Sequence, residues 1–314
     1  MRRPTWARWA PIFSLWLTGL VAVAAAPVDA DLSCPPLNLA VSPSEPTPSS
    51  HARGLLWRIT RGTAVPSYLF GTIHLGDPAL VRIPEPVADA LDRSRRFVME
   101  AKLDVEEMAN WSRSMLNTDA DALRSELGSP LFGRAMALLP RYGIPDAIGA
   151  MLKPWALYLT LSTPPATGGL PLDLVLATRA ESQGKTVEGL ETVAEQADVI
   201  AGLPREEQVA LVRDAVCYYE TLQADIEQTK QLYLNRDLGA LAAMATRYGL
   251  SESARYRHLL QQLLWDRNAR MVDRMEPFLS GGGAFIAIGA LHLPGPKGLL
   301  GRLEALGYRV TPVY

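Results

Sequence analysis

The chain has 314 residues, enough for one large domain or two modest ones, and its 48% hydrophobic and 20% charged residues are those of an ordinary folded protein. A net charge of −2, with no concentrated basic face, argues against nucleic acid as a partner. Its two cysteines, Cys34 and Cys217, lack the paired spacing of a zinc ribbon.

The first 30 residues read as a secretory signal. Arg2, Arg3 and Arg8 form a positive start, Ile12–Val23 is an apolar run, and Ala24–Ala26 and Val28-Asp29-Ala30 offer small-residue cleavage sites. Retention as an uncleaved anchor is the competing reading. Export would place the protein in the periplasm or outside the cell, where a lone pair of cysteines tends to be joined, so a Cys34–Cys217 bond is expected. A free, buried Cys217 is the alternative. No later stretch is apolar for long enough to span a membrane.

Residues 31–53 carry Pro35, Pro36, Pro43, Pro46 and Pro48 among serines and read as an extended leader. The folded domain is expected over 54–314. Leu55–Thr60 and Ser67–His74 read as two strands of a hairpin around Arg61-Gly62-Thr63, and the second closes on Gly71-Thr72-Ile73-His74. Pro84–Ser94 reads as a helix feeding the strand Arg96–Leu103, which carries Glu100 among apolar neighbours.

Helical periodicity then runs from Val105 to about Thr178, broken by prolines, and Leu170–Ser182 ends before Gly184. Lys185–Leu190 reads as a strand with Glu191 just beyond it. Pro204–Asn235 reads as one long helix, followed by helices at Arg236–Arg247 and Glu252–Met275. Gly281–Gly283 precede a second apolar strand, Ala284–His292, which again ends in a Gly-x-x-His, Gly289 to His292. A helix at Lys297–Leu306, stopped by Gly307, and a strand at Tyr308–Tyr314 complete the chain. The pattern predicts an α/β fold: a central mixed sheet built from both ends of the chain, with a large helical insertion at about 105–280.

Only four histidines occur, and His74 and His292 sit at matching strand ends, where open α/β sheets gather ligands. Imidazole and carboxylate are the donors of a metal-dependent hydrolase. The expected metal ligands are His74, His292 and Glu100. Glu100, Glu191 and Arg267 are the candidate catalytic groups. An unpaired charge at Glu100 would be expensive, so it needs a metal, a cation or a proton. Structural readings stand beside these: a buried Glu100–Arg267 ion pair, and Glu191 as a cap for the helix that follows. Asn268 reads as an ordinary polar helix residue, and His51 and His258 as surface or incidental residues. No serine-hydrolase elbow or phosphate loop occurs.

Phe70-Gly-Thr-Ile-His74, Val98-Met-Glu100, Gly189-Leu-Glu-Thr192, Asp266-Arg-Asn268, Ile288-Gly-Ala-Leu-His292 and Gly307-Tyr-Arg-Val-Thr-Pro-Val fall in order over residues 54–314. In these motifs the chain resembles the TraB/PrgY/GumN family, which takes in the Tiki proteins and is distantly similar to erythromycin esterases and haem-binding ChaN proteins. The resemblance implies an active centre on His74, His292, Glu100 and Arg267. It also implies a divalent metal, Mn or Co, beside the Zn that the residue types themselves suit, and peptidase activity; the substrate, a peptide or a small molecule, stays open. Two other classes stay open at this point: a ligand-binding protein holding haem through a histidine, and a partner-sequestering protein without chemistry.

Overall fold

The computed structural model describes residues 32–36, 51–102, 104–166, 168–245 and 254–314. The expected signal segment, most of the expected leader and Leu103 lie outside the described residues.

Six strands form one mixed sheet: β1 (Leu56–Thr60), β2 (Ser67–Thr72), β3 (Arg96–Ala101), β4 (Thr186–Glu191), β5 (Ala284–Gly289) and β6 (Arg309–Pro312), in the order β4-β3-β5-β2-β1-β6. The first four in that order run parallel, whereas β1 is antiparallel to both β2 and β6. Strands of a parallel sheet are covered on both faces and therefore read as continuous apolar runs. This is why Ala284-Phe-Ile-Ala-Ile-Gly289 is buried at every position. The outer strands β4 and β6, at the sheet edges, are more polar and more exposed.

Fourteen α-helices accompany the sheet among the described residues. In chain order they are α1 (Glu85–Arg93), α2 (Val105–Ser114), α3 (Ala122–Leu127), α4 (Ser129–Leu138), α5 (Asp146–Met151), α6 (Pro154–Leu161) and α7 (Leu172–Ser182). After β4 come α8 (Val193–Ala201), α9 (Arg205–Cys217), α10 (Tyr219–Leu234), α11 (Leu238–Ala245), α12 (Ala254–Leu260), α13 (Arg267–Gly281) and α14 (Leu299–Ala305). Residues of α1, α7, α11, α13 and α14 pack on the sheet in one core around Phe70, Phe97 and Phe285. A second core forms among α3, α4, α6 and α9, with Ile200, Tyr219 and Leu259 from α8, α10 and α12. The helical block therefore buries apolar surface of its own, and only part of it covers the sheet.

Several expected boundaries shift. The helix expected over Pro204–Asn235 is two helices, because Tyr218 between them leaves helical geometry at φ −113° and ψ 23°. The helix expected over Glu252–Met275 opens into a π-helical stretch at Gln261–Asp266 and then continues as α13 past Pro277 to Gly281. Such wide turns are uncommon and often mark sites. The Ala284–His292 strand ends at Gly289, and Ala290–His292 forms a 3-10 turn. His51, expected at the surface or as an incidental residue, is not at the surface: it is buried against Trp57 and lies within 3.1 Å of Glu304. His258 is exposed.

Cys34 and Cys217 are joined in a disulfide, with Cα atoms 5.5 Å apart. The bond fastens residues 32–36 to α9, where Leu32 enters the second core and Tyr218 donates to the Pro35 carbonyl.

Candidate functional site

The four parallel strands finish together. Thr72 of β2 pairs with Gly289 of β5, and Ala101 of β3 pairs with Glu191 of β4. Chemistry-bearing side chains thus collect along the carboxyl edge of the sheet, the usual place for ligands in such folds. Glu100 enters from β3, Glu191 from the last residue of β4, and His74 and His292 from just past the ends of β2 and β5.

The glycines of the two motifs have different tasks. A Cβ at Gly71 would press on Ala290 and Leu293 at 3.2 Å, so this glycine lets the turn after β5 pack against β2. A Cβ at Gly289 would stand 3.2 Å from Glu100 Oε2, 3.3 Å from His74 Nε2 and 3.5 Å from His292 Cδ2. Three side chains from three strand ends therefore face one point. The two imidazoles thus stand at the same edge of the sheet, each within 3.5 Å of that point.

Glu100 sits at the centre. Its Oε2 accepts from the Gly289 backbone N–H at 2.8 Å and lies 3.7 Å from His74 Nε2. Its Oε1 accepts from Gln196 Nε2 at 2.9 Å and from Arg267, and lies 3.9 Å from His292 Nε2. Burial favours the neutral acid here. The surrounding His292, His74 and Arg267 win against it and hold the carboxyl well below the usual carboxylate range.

The two imidazoles differ. Burial pushes His292 down to about 4, so it is neutral at pH 7. Its Nδ1 meets Asn268 Oδ1 at 2.6 Å. His74 Nδ1 meets Asp173 Oδ2 at 2.9 Å, and Thr72 donates its hydroxyl to the other Asp173 oxygen. Although 60% of the His74 side chain is open to solvent, its nitrogens lie among protein atoms. Their burial opposes a charge, but hydrogen bonds to Asp173 and Glu100 outweigh it and raise the pKa well above the ordinary imidazole value.

Arg267, at the start of α13, lies behind Glu100. Its Nε donates to Glu191 Oε2 at 3.0 Å, one terminal nitrogen donates to both Glu100 and Glu191, and the other donates to the Leu263 carbonyl. That carbonyl belongs to the π-helical stretch. The guanidinium is buried and clamps two carboxylates, which opposing burial does not prevent: its pKa is raised. Glu191 does not cap α8. Thr192 does so, in a reciprocal box with Glu195.

Asp173, Gln196 and the hydrogen-bonding role of Asn268 were not apparent from sequence. For Asp173 the one local signal is an acidic residue in the first turn of a helix. Beside His74 opens a cleft of about 550 Å³, lined by Gly76, Asp77, the Thr163–Ala166 segment, Gly169 and Pro171, and by Gln223, Ile226, Glu227 and Lys230 of α10. Gly76 and Gly169 meet backbone to backbone at one rim, where a Cβ on either would collide at 2.2 or 2.1 Å.

Among the described residues, no group of three or more His, Cys, Asp or Glu side chains is arranged so that it could hold a metal ion as it stands. The haem alternative gains nothing from the arrangement, since both inward-facing imidazole nitrogens look at the Glu100 carboxylate. No helix among the described residues is long and apolar enough to cross a membrane.

No solved structure matches the chain. Metalloprotease TIKI2 of Danio rerio is 25% identical to it, across 85% of this chain and 62% of the relative's own length. The chain therefore spans about three fifths of that relative. The model of the TraB/PrgY/gumN family matches residues 55–312, from the first strand of the sheet to the last, and the chain belongs to that family.

Proposed function

We propose that this protein is an exported, metal-dependent hydrolase acting on peptide bonds. The observation that carries the reading is the convergence of His74, His292 and Glu100 on the one point that the missing side chain of Gly289 leaves open. Family membership and the relative named a metalloprotease support it. The disulfide fits an oxidising compartment, which supports export.

By chemical type the donors, two imidazole Nε2 atoms and a carboxylate opening on a cleft, suit a divalent first-row metal. His74, His292 and Glu100 would hold the ion. When bound, it would lower the pKa of water and polarise a substrate carbonyl. The chain's own contribution is orientation and charge. His292 is already neutral and needs to lose no proton to become a donor. Glu100 is kept ionised, as a metal donor must be, and its Oε2 is the carboxylate oxygen nearest His74. Glu191 has no exposed side-chain surface and acts through Arg267, which it shares with Glu100. The cleft beside His74 receives the substrate.

Metal analysis of the protein recovered from an oxidising compartment tests this directly. Wild type is expected to hold one divalent ion and to hydrolyse peptides in a chelator-sensitive way, and His74→Ala and His292→Ala to lose both properties while keeping their fold. Metal content in both variants equal to wild type would end the proposal.

A further inference from the structure

A neutral imidazole carries one proton, and the partner of one ring nitrogen decides whether the other is free to act as a donor. At His292 that decision is made by Asn268. The Asn268 amide nitrogen reaches two backbone carbonyls, of His292 at 3.3 Å and Lys297 at 3.0 Å, so its oxygen must be the atom facing Nδ1. An oxygen there accepts from Nδ1–H, and Nε2 is left with its lone pair toward Glu100.

At His74 the same job falls to a residue of another kind. Asp173 is buried in the first turn of α7, where the helix terminus favours a carboxylate. Thr72 occupies one of its oxygens as a donor, and the other faces His74 Nδ1. The Asp173 oxygen facing Nδ1 accepts its N–H whether the ring is neutral or charged, so Nε2 again faces Glu100, where a metal ion would displace any proton it carries. His74 needs such an anchor more than His292 does, because 60% of its side chain is exposed, at the cleft, against 6% for His292.

We propose that Asp173 is a positioning residue: it fixes the ring orientation and tautomer of His74 so that Nε2 is presented to a metal ion beside Glu100, as Asn268 does for His292. This rests on the metal-site reading above. Asp173 acts by accepting a hydrogen bond, so an amide in its place should retain most of the effect and an alkyl group none.

The test uses the full chain with its disulfide intact, stripped with chelator and titrated with Co2+. The readouts are visible absorption and the hyperfine-shifted exchangeable ring N–H resonances of the Co2+-loaded protein. Wild type is expected to show two such resonances, one per imidazole. Asp173→Ala is expected to bind Co2+ roughly 10- to 100-fold more weakly, as for loss of other outer partners of ligating histidines, and to lose one resonance to exchange. Asp173→Leu, of similar volume and without an acceptor, should behave alike and serves if the alanine variant does not fold. Asp173→Asn should keep both resonances and most of the affinity. If wild type binds no Co2+, the metal-site reading itself fails and the positioning role goes with it. If wild type binds but Asp173→Ala or Asp173→Leu matches it in affinity and resonances, only the positioning role is overturned. An asparagine variant as weak as alanine overturns it too.

Discussion

The backbone N–H of Gly289 donates to Glu100 Oε2 at 2.8 Å, so the glycine of the second Gly-x-x-His motif and the buried glutamate of β3 are directly bonded. Gly289 has φ −49°, a conformation open to any residue, so a side chain there would be opposed by contact alone. Gly289→Ala is expected to push Glu100 and His74 apart by a few tenths of an ångström. The fold should survive, at a cost of about 1–3 kcal/mol from overpacking. Co2+ affinity and peptide hydrolysis should fall much further than stability. Wild-type affinity in a folded Gly289→Ala protein would show that the point is not where the ligands meet.

Arg267 neutralises two buried carboxylates at once. Removing one partner of such a cluster leaves uncompensated charge, a loss of about 3–5 kcal/mol in comparable sites. Arg267→Ala should lose that much in urea unfolding. Arg267→Lys should lose less, since it restores charge without the planar fork. A loss below about 1 kcal/mol for the alanine variant would mean that Glu100 and Glu191 are stabilised by other means.

The pair Glu195–Arg274 offers a pH signature away from the site. The hydrogen bond from Arg274 pulls the Glu195 carboxyl down to about 2, against an opposing effect of burial. A carboxylate with a depressed folded-state pKa contributes stability above its ordinary value and loses it as pH falls through the folded value. The stability difference between wild type and Glu195→Gln should therefore be constant from pH 8 to about 5 and shrink between about pH 4.5 and 2. Glutamine preserves the helix cap with Thr192, which isolates the charge. Urea melts across this range provide the measurement, and a difference that grows toward acid would contradict the assignment.

The disulfide links residues 183 positions apart. Closing so long a loop restricts the unfolded chain, and removing such bonds costs about 2–5 kcal/mol. Cys217→Ser, or reduction of the wild type, should lower the melting temperature and release residues 32–36 to proteolysis. Thiol titration of the denatured, unreduced protein should find no free thiols. Two free thiols would show that the bond does not form.

What the sequence carried by itself was local pattern. Unbroken apolar runs marked β2, β3 and β5 because parallel strands are covered on both faces. A glutamate inside one such run announced a partner because bare charge is costly there, and Arg267 is that partner. Two histidines at matching strand ends pointed to one edge of one sheet. Tertiary structure decided the rest. His74 finds Asp173 99 residues away and His292 finds Asn268 24 residues back, in helices whose own periodicity says nothing about either ring. The break at Tyr218 and the π-helical stretch before Arg267 likewise lie inside good helical sequence. The physical reason is that helix and strand patterns report which face is buried, whereas the partner of a polar group is set by crossovers that bring distant strand ends and helix starts together.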